Sequence, residues 1–171
     1  MKQIGRISLI LTIIACLISC KKDSTKPTQK GANKMAANIN GVRWEKKACF
    51  SCIAGGEALD VNYDDRTFFG ISGENLDSQY TITIIIENLK TPGEFVLGNG
   101  KGSNTASNYA IVYPKTGKYY TSSNTIGKVT ITKLDPSSKI ITGTFEFTAE
   151  NENNPSDVLT IKNGWFDVTY E

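Results

Sequence analysis

Apolar and polar residues alternate along most of the chain from Ile39 to Glu171, and the alternating runs are separated by Gly, Pro, Asn and Asp. Between Tyr80 and Glu87 the even-numbered residues are Tyr or Ile, and the odd-numbered ones, apart from Ile85, are Thr or Glu. Successive side chains of a strand point to opposite faces, so this run has one apolar face. No stretch keeps a 3.6-residue period for three turns. We therefore predict an all-β domain of antiparallel strands that each have one face towards water.

The connections between the alternating runs indicate hairpins. Pro114 and Pro136 lie in short polar segments, where a type I turn suits the fixed φ of proline and makes the flanking strands neighbours. We predict an antiparallel β-sandwich of about 8–10 strands, with a lipocalin-like barrel as the alternative. The predicted strands are residues 39–44, 58–63, 67–73, 79–88, 94–97, 106–113, 118–121, 126–134, 139–149 and 158–170.

The last predicted strand, residues 158–170, has two possible arrangements around Asn163-Gly164. Asn163-Gly164 fits either a type I′ turn, which would split the last segment into a hairpin, or a bulge within one long strand. Both shift the alternation by one residue, so the pattern leaves both alternatives open. In the strand before it, the alternation predicts Ile141, Gly143, Phe145 and Phe147 inward, and Thr142, Thr144, Glu146 and Thr148 in water.

The N-terminal residues differ from the rest of the chain. Lys2 and Arg6 precede an apolar run from Ile7 to Ile18, which is shorter than the roughly 20 apolar residues of a transmembrane helix. This pattern predicts a signal peptide over residues 1–19. The segment ends in Leu17-Ile18-Ser19-Cys20, which resembles the bacterial lipobox, so we predict that Cys20 becomes the lipidated mature N-terminus.

Residues 20–38 are rich in Lys and contain few apolar side chains, a composition typical of a solvated tether. We therefore predict a flexible tether over residues 20–38 and a folded domain over residues 39–171. Removing Lys2 and Arg6 with the leader would bring the formal net charge of +2 to zero. The predicted domain has no basic stripe, which argues against nucleic acid as a partner.

Glycines, turns and aromatic residues of the domain resemble those of uncharacterised lipoproteins of Bacteroidota. That resemblance extends over nearly the whole mature chain and implies a β-rich, lipid-anchored envelope protein. It implies no catalytic residue, because the family is a domain of unknown function. The segments that carry it are residues 40–44 (NGVRW), Pro92-Gly93 with Leu97-Gly98, residues 127–132 (GKVTIT), residues 141–147 (ITGTFEF) and residues 163–168 (NGWFDV).

Cys49 and Cys52 form a C-x-x-C motif. A structural zinc site is excluded because it needs four ligands, and the chain has no histidine and no second C-x-x-C. A thioredoxin-type pair would begin a helix, whereas the sequence around Cys49 predicts a loop or strand. We therefore expect a local disulfide or two free thiols, with redox catalysis as the alternative.

The acidic residues supply candidate metal and catalytic groups. Residues 60–65 begin like an EF-hand loop but have Asp65 where the loop needs Gly and Ile71 where it needs Glu. A weak calcium site at Asp60, Asp64 and Asp65 is the alternative to a polar turn, which we prefer. Residues 150–154 are similarly predicted to be a hairpin tip. No metal and no cofactor is predicted.

Aromatic residues supply the candidate ligand face, which comprises Tyr109, Tyr113, Tyr119 and Tyr120 around one predicted hairpin. Tyr119 and Tyr120 are adjacent, so one of them should point outward. Exposed tyrosines on a sheet can stack on sugars or on protein side chains.

The sequence thus favours a lipid-anchored β-domain of the cell envelope, without catalytic residues, on the periplasmic or surface side of the outer membrane. We expect the lipid to join it to the membrane and a glycan or an envelope protein to be its partner. The alternatives are an envelope hydrolase with a carboxylate pair and a redox protein that uses Cys49 and Cys52.

Overall fold

The computed structural model describes residues 26–48, 58–64, 68–98 and 108–171, and within these ranges the regular secondary structure is entirely β. The predicted all-β class is therefore confirmed. The strands are β1 (Lys34–Ile39), β2 (Val42–Glu45), β3 (Leu59–Asp64), β4 (Phe68–Asn75), β5 (Tyr80–Glu87), β6 (Gly93–Leu97), β7 (Tyr109–Tyr113), β8 (Tyr119–Tyr120), β9 (Gly127–Asp135), β10 (Ile140–Asn151) and β11 (Val158–Thr169).

All eleven strands belong to one antiparallel sheet, which curls so that its two parts face each other. The six-strand half has the order β2-β1-β11-β10-β9-β6, and the five-strand half has the order β3-β4-β5-β7-β8. Strand β10 joins them, because it pairs with β9 as far as Glu146 and with β8 at Glu150 and Asn151. The result is sandwich-like in section, with the halves continuous through β8 and β10.

A single apolar core fills the space between the halves. Phe69 in β4 faces Phe166 in β11 with 5.7 Å between ring centroids. Trp44 in β2 crosses the core and donates a 3.1 Å hydrogen bond from Nε1 to the carbonyl oxygen of Tyr80 at the start of β5. These contacts use the inward positions of the alternation, such as Ile82, Ile84 and Ile86 of β5, which are fully buried. Each such side chain contributes roughly 1.5–3 kcal/mol when it leaves water.

The domain begins earlier than the sequence predicted. The prediction assigned residues 20–38 to a tether, yet β1 starts at Lys34, pairs with β2 and β11, and has Met35 fully buried. Asn40 (φ 49°) and Gly41 (φ 83°) form a two-residue turn between β1 and β2, as positive φ at both positions allows. The predicted strand over residues 39–44 is therefore corrected to a hairpin.

The ambiguity at Asn163-Gly164 is resolved in favour of a bulge. Strand β11 runs without interruption from Val158 to Thr169. Its register against β10 shifts between the pairs Phe145–Gly164 and Phe147–Ile161, so Lys162 and Asn163 together lie opposite a single residue. Asn163 has φ 51°, which asparagine tolerates better than most residues.

The other predicted strands correspond to strands of the sheet, and the hairpins around Pro114 and Pro136 are confirmed by the pairing of β7 with β8 and of β9 with β10. The solvent exposure predicted for one outward residue is wrong. Thr142 points away from the core as predicted, opposite Asp167, but its side chain is fully buried rather than in water. Its Oγ1 lies 2.9 Å from Oγ1 of Thr132, and either hydroxyl can donate.

Candidate functional site

Residues 26–33, here called the strap, precede β1 and cross the outer surface of the six-strand half. The fixed point is the carboxylate of Asp167 in β11, which accepts hydrogen bonds from Thr28 Oγ1 (2.5 Å), Thr28 N (3.0 Å), Gly31 N (2.8 Å) and Lys30 N (3.3 Å). Lys133 Nζ in β9 donates to the carbonyl oxygen of Gln29 at 3.2 Å. The strap is therefore tied to β9 and β11 by polar contacts rather than by apolar burial.

Asp167 has no exposed surface, yet its environment favours the charged form. Burial is the largest single influence and raises the pKa, but the hydrogen bonds from Thr28, Gly31 and Lys30 together outweigh it. The pKa of Asp167 is thus lowered, because an ionised carboxylate is a better acceptor than a neutral one. The strap and the charge on Asp167 stabilise each other.

Two adjoining grooves lie beside the strap on the same outer surface. The first, of about 360 Å³, is lined by Lys26 and Pro27 of the strap together with Thr130, Thr144 and Trp165. The second, of about 310 Å³, includes Lys128 and Glu146, which it shares with the first, and the exposed apolar side chains Val96 and Ile126. Both grooves are open to solvent and mix charged, hydroxyl and apolar groups.

Trp165 forms part of the first groove and has an unusual feature. Its side chain is 2% exposed, and its Nε1 is buried without a hydrogen-bond acceptor among the residues that the structure describes. A buried donor without a partner costs about 1–3 kcal/mol relative to a satisfied one. Trp165 therefore contrasts with Trp44, whose Nε1 is satisfied by Tyr80.

Charge is distributed unequally between the two halves. Strands β3, β4, β5, β7 and β8 contain no Lys or Arg, and the register places Asp60, Glu74 and Glu87 on the outer surface of this half. All strand residues with a basic side chain lie in the six-strand half, and they are Lys34, Arg43, Lys128, Lys133 and Lys162. Four of these five bases form ion pairs with acids of the same half: Arg43 with Glu45 (3.9 Å), Lys128 with Glu94 (3.2 Å), Lys133 with Asp135 (3.4 Å) and Lys162 with Glu146 (3.4 Å).

Two of the tyrosines lie on the outer surface of the five-strand half. The register pairs Tyr109 with Ile85 and Tyr113 with Thr81 across β5 and β7. Tyr113 is 37% exposed and Tyr109 is half-buried, with Ile111 between them on the same side of the strand. These residues define what we call the tyrosine face: Thr81, Thr83, Ile85, Tyr109, Ile111 and Tyr113.

Tyr119 and Tyr120 point to opposite sides of β8, as their adjacency predicts. Tyr120 pairs with Ile111 on the outer side but is only 3% exposed, so its ring is not available to a ligand. Tyr119 lies on the other side, opposite Val112, and its hydroxyl donates to Asp157 Oδ2 at 2.6 Å. That hydrogen bond is the main reason why the pKa of Tyr119 is raised above its ordinary value.

Several predicted site residues lie outside the described ranges. They are Cys20, Cys49, Cys52 and Asp65. Asp60 and Asp64 lie in β3, and the described part of the chain contains no group of three acidic or cysteine side chains placed to hold a metal. Residues 150–154 include the end of β10 and the hairpin tip that leads to β11, as predicted, where Asn151 Nδ2 donates to Asp157 at 3.0 Å.

Comparison with known proteins gives a family but no activity. Residues 56–168 match the family described as a domain of unknown function, DUF6252. The chain belongs to this family. No curated protein and no solved structure matches it. Among the described residues of this DUF6252 protein, no helix has the length and apolar character needed to cross a membrane.

The strap and Asp167 are the parts of the site that sequence reasoning missed. Thr28 and Asp167 are far apart in the DUF6252 chain, and the strap has too few apolar residues to be recognised as ordered. The sequence did contain one indication that Asp167 is not an ordinary surface acid. The alternation around Phe166 places Asp167 on the outer side of β11, beside apolar residues. A lone acid in such a strand needs a partner, but its position does not say which residues supply it.

Proposed function

We propose that this protein is a lipid-anchored module of the cell envelope that binds a partner through its tyrosine face and catalyses no reaction. The lipobox-like segment ending at Cys20, and the resemblance to Bacteroidota lipoproteins, support the anchor and the envelope address. The partner is a glycan or an envelope protein, since both present surfaces on which tyrosine rings stack.

The observation that carries the proposal is the separation of the strap from the tyrosine face. The strap lies on the outer surface of the six-strand half, at Asp167 and Lys133. Tyr109 and Tyr113 lie on the outer surface of the other half, on the far side of the core. A protein anchored through its N-terminus can therefore use its tyrosine face for binding without interference from the anchor.

The tyrosine face has the composition of a binding surface. Tyr113 is 37% exposed, and Ile85 and Tyr109 beside it are half-buried. Thr81 and Thr83 add hydroxyl groups at the neighbouring positions of β5. Aromatic rings with adjacent hydroxyls supply stacking and hydrogen bonding together, as recognition surfaces require.

Binding is tested with the purified full-length protein on a glycan array and in a pull-down from envelope extracts. We expect saturable binding that weakens about tenfold in Tyr113→Ala and in Tyr109→Ala, the loss expected for a central aromatic contact. Leu76→Ala is the matched control, because Leu76 is an exposed apolar residue at the turn after β4. Equal binding by all three variants would overturn the role of the tyrosine face.

The anchor is tested by feeding cells an alkyne fatty acid and measuring its incorporation. We expect labelling of the natural protein and of Cys16→Ser, since Cys16 lies within the predicted leader. Cys20→Ser should lose the label, because lipid is attached to the cysteine that becomes the mature N-terminus. Labelling that survives this substitution would rule out Cys20 as the anchor.

A further inference from the structure

We infer that the outer surface of the six-strand half lies against the anionic headgroups of the membrane, so that the tyrosine face points away from the bilayer. The inference rests on the proposed lipidation of Cys20. It adds an orientation and a second interaction surface, which the anchor alone does not provide. The membrane-facing residues are those beside the strap, centred on Lys128 and Lys162.

The first argument is the reach of the chain. The strap is held at Asp167, and its first residues, Lys26 and Pro27, line a groove with Thr130 in β9 and Thr144 in β10. An extended chain spans at most ~3.6 Å per residue, so Cys20 lies within about 20 Å of Lys26. The bilayer surface must therefore come within that distance of the strap.

The distance that residues 20–26 can span also excludes the opposite orientation, in which the tyrosine face would lie on the membrane. From the groove, the nearest edge of the sheet is β6, beyond β9, at a spacing of about 5 Å per strand. The two halves are then separated by about 10 Å, and side chains extend beyond each of them. A path from Lys26 over this edge to the tyrosine face exceeds about 20 Å. An anchored molecule therefore cannot lay its tyrosine face on the membrane while the strap stays in place.

The second argument is charge complementarity. The outer surface of the six-strand half holds every basic residue of the described strands, and the strap adds Lys26 and Lys30. The strands of this half also carry six acids, namely Glu45, Glu94, Asp135, Glu146, Glu150 and Asp167, so with the strap seven bases stand against six acids. The strands of the other half carry Asp60, Asp64, Glu74 and Glu87 and no base. An anionic bilayer therefore favours the first surface over the second.

The third argument is the position of exposed apolar groups. Val96 and Ile126 are 58% and 63% exposed, and both line the groove that contains Lys128 and Lys162. Apolar side chains among lysines suit the boundary between headgroups and acyl chains. Their position next to the strap-lined groove places them on the side that the tether holds close to the membrane.

The experiment is lysine footprinting of the full-length lipidated protein with a membrane-impermeant acylating reagent. Vesicles of phosphatidylcholine with phosphatidylglycerol are compared with detergent micelles, and modified residues are quantified by mass spectrometry. In the vesicles, labelling of Lys128 and Lys162 should fall about threefold or more, as a surface held against anionic lipid requires. Labelling of two other exposed lysines should stay nearly unchanged, namely Lys115 in the turn between β7 and β8 and Lys90 in the connection from β5 to β6.

A charge-reversal pair sharpens the test. Lys128→Glu combined with Lys162→Glu should abolish the protection of Lys30 and Lys34, which are exposed and lie on the same surface. Lys90→Glu combined with Lys115→Glu is the matched control and should leave that protection intact. Raising the salt concentration should weaken the protection, because the attraction is screened.

The outcomes separate the inference from the proposed function. Mass spectrometry of the N-terminal peptide reports whether Cys20 carries lipid. A chain without lipid overturns the proposed anchor and the orientation that rests on it. A lipidated chain whose lysines are labelled alike in vesicles and micelles, or whose Lys90 and Lys115 are the protected ones, overturns the orientation alone.

Discussion

The two halves of the sheet share one core but differ in what they expose. The six-strand half is covered in part by the strap, is rich in lysine and contains the buried carboxylate of Asp167. The five-strand half exposes tyrosines and carboxylates and has no basic residue in its strands. Both halves follow the same inward alternation, so outside the area under the strap the core constrains the inner faces more than the outer ones. The outward positions can therefore differ in chemistry without affecting the core.

The largest expected effect comes from removing the acid that holds the strap. Asp167→Ala deletes the acceptor for Thr28, Lys30 and Gly31, and hydrogen bonds to a charged group are worth more than neutral ones. We expect unfolding free energy to fall by about 3 kcal/mol. Urea denaturation measures this change, and amide hydrogen exchange at Gly31 reports release of the strap.

Asp60→Ala is the control for that variant, because Asp60 occupies an outward and exposed position in the other half. A surface substitution of this kind should change the unfolding free energy by no more than about 0.5 kcal/mol. If Asp60→Ala and Asp167→Ala were equally destabilising, the strap would have no special role in the six-strand half.

The two tryptophans test the difference between a contact that joins the halves and one confined to a single half. Trp44→Phe removes the hydrogen bond to Tyr80 across the core and leaves that carbonyl without its indole donor. We expect a loss of about 1–2 kcal/mol. Trp165→Phe removes a donor that is already unsatisfied, so its loss should be smaller than that of Trp44→Phe.

Thermal unfolding of the two variants, measured side by side, decides between these expectations. Both variants replace an indole by a phenyl ring, so each is the control for the loss of ring size in the other. A Trp165→Phe variant that is less stable than Trp44→Phe would mean that the indole N–H of Trp165 has an acceptor in solution.

Acidification should loosen the six-strand half before the five-strand half. The pKa of Asp167 is lower in the folded protein than the value of about 4 expected for an unfolded chain. Its contribution to stability is therefore fully present above pH 4 and is lost as the pH falls through the folded-state pKa. The protection of the Thr28 and Gly31 amides against hydrogen exchange, after correction for the pH dependence of intrinsic exchange, should fall as the pH is lowered from 5 to 2.

The Asp167→Ala variant supplies the control for this titration, because it lacks the titrating group. In this variant the strap amides should already exchange fast at pH 5. Lowering the pH further should not reduce their protection, because the strap is already released. Strap protection that persists in the natural protein below pH 2 would show that contacts other than those to Asp167 hold residues 26–33.

Apart from the Asp60→Ala control, the smallest expected effect on stability is at the tyrosine face. Tyr113 is partly exposed at the end of β7, so Tyr113→Ala should cost less than about 1 kcal/mol. Its effect on partner binding should be larger than its effect on stability. A chemical denaturation curve measured on the sample used for binding separates the two, and a large loss of stability would remove Tyr113 from the list of binding residues.

The strands were largely predictable, because the alternation of apolar and polar residues indicates which side chains are buried in the core. This holds for β5, where Ile82, Ile84 and Ile86 are buried as expected. It failed for β1, whose inward positions include Met35 and Ala37 between Lys34 and Asn38, a pattern with little apolar contrast. Asn40-Gly41 has the composition of a tight turn, but a turn can be inferred only when the strand before it has been recognised.

The candidate site was less predictable than the fold, because it depends on contacts between distant parts of the chain. Sequence reasoning proposed one ligand face of Tyr109, Tyr113, Tyr119 and Tyr120. It could not exclude Tyr120, whose burial depends on neighbouring strands. It placed Thr142 in water because alternation assumes that the outer side of a strand is solvated. The strap at Asp167 breaks that assumption with polar contacts, for which hydrophobic periodicity has no signal.

The position of β11 determines when the molecule can fold. Strand β11 lies between β1 and β10, so the hairpin of β1 and β2 depends on residues 158–169 for its main pairing with the sheet, to which Lys47 adds a single bridge with Asn75. Contacts between the two ends of a chain close slowly, because the intervening loop must be ordered first. The β1–β2 hairpin therefore takes its full place in the sheet only after residues 158–169 are available to pair with β1.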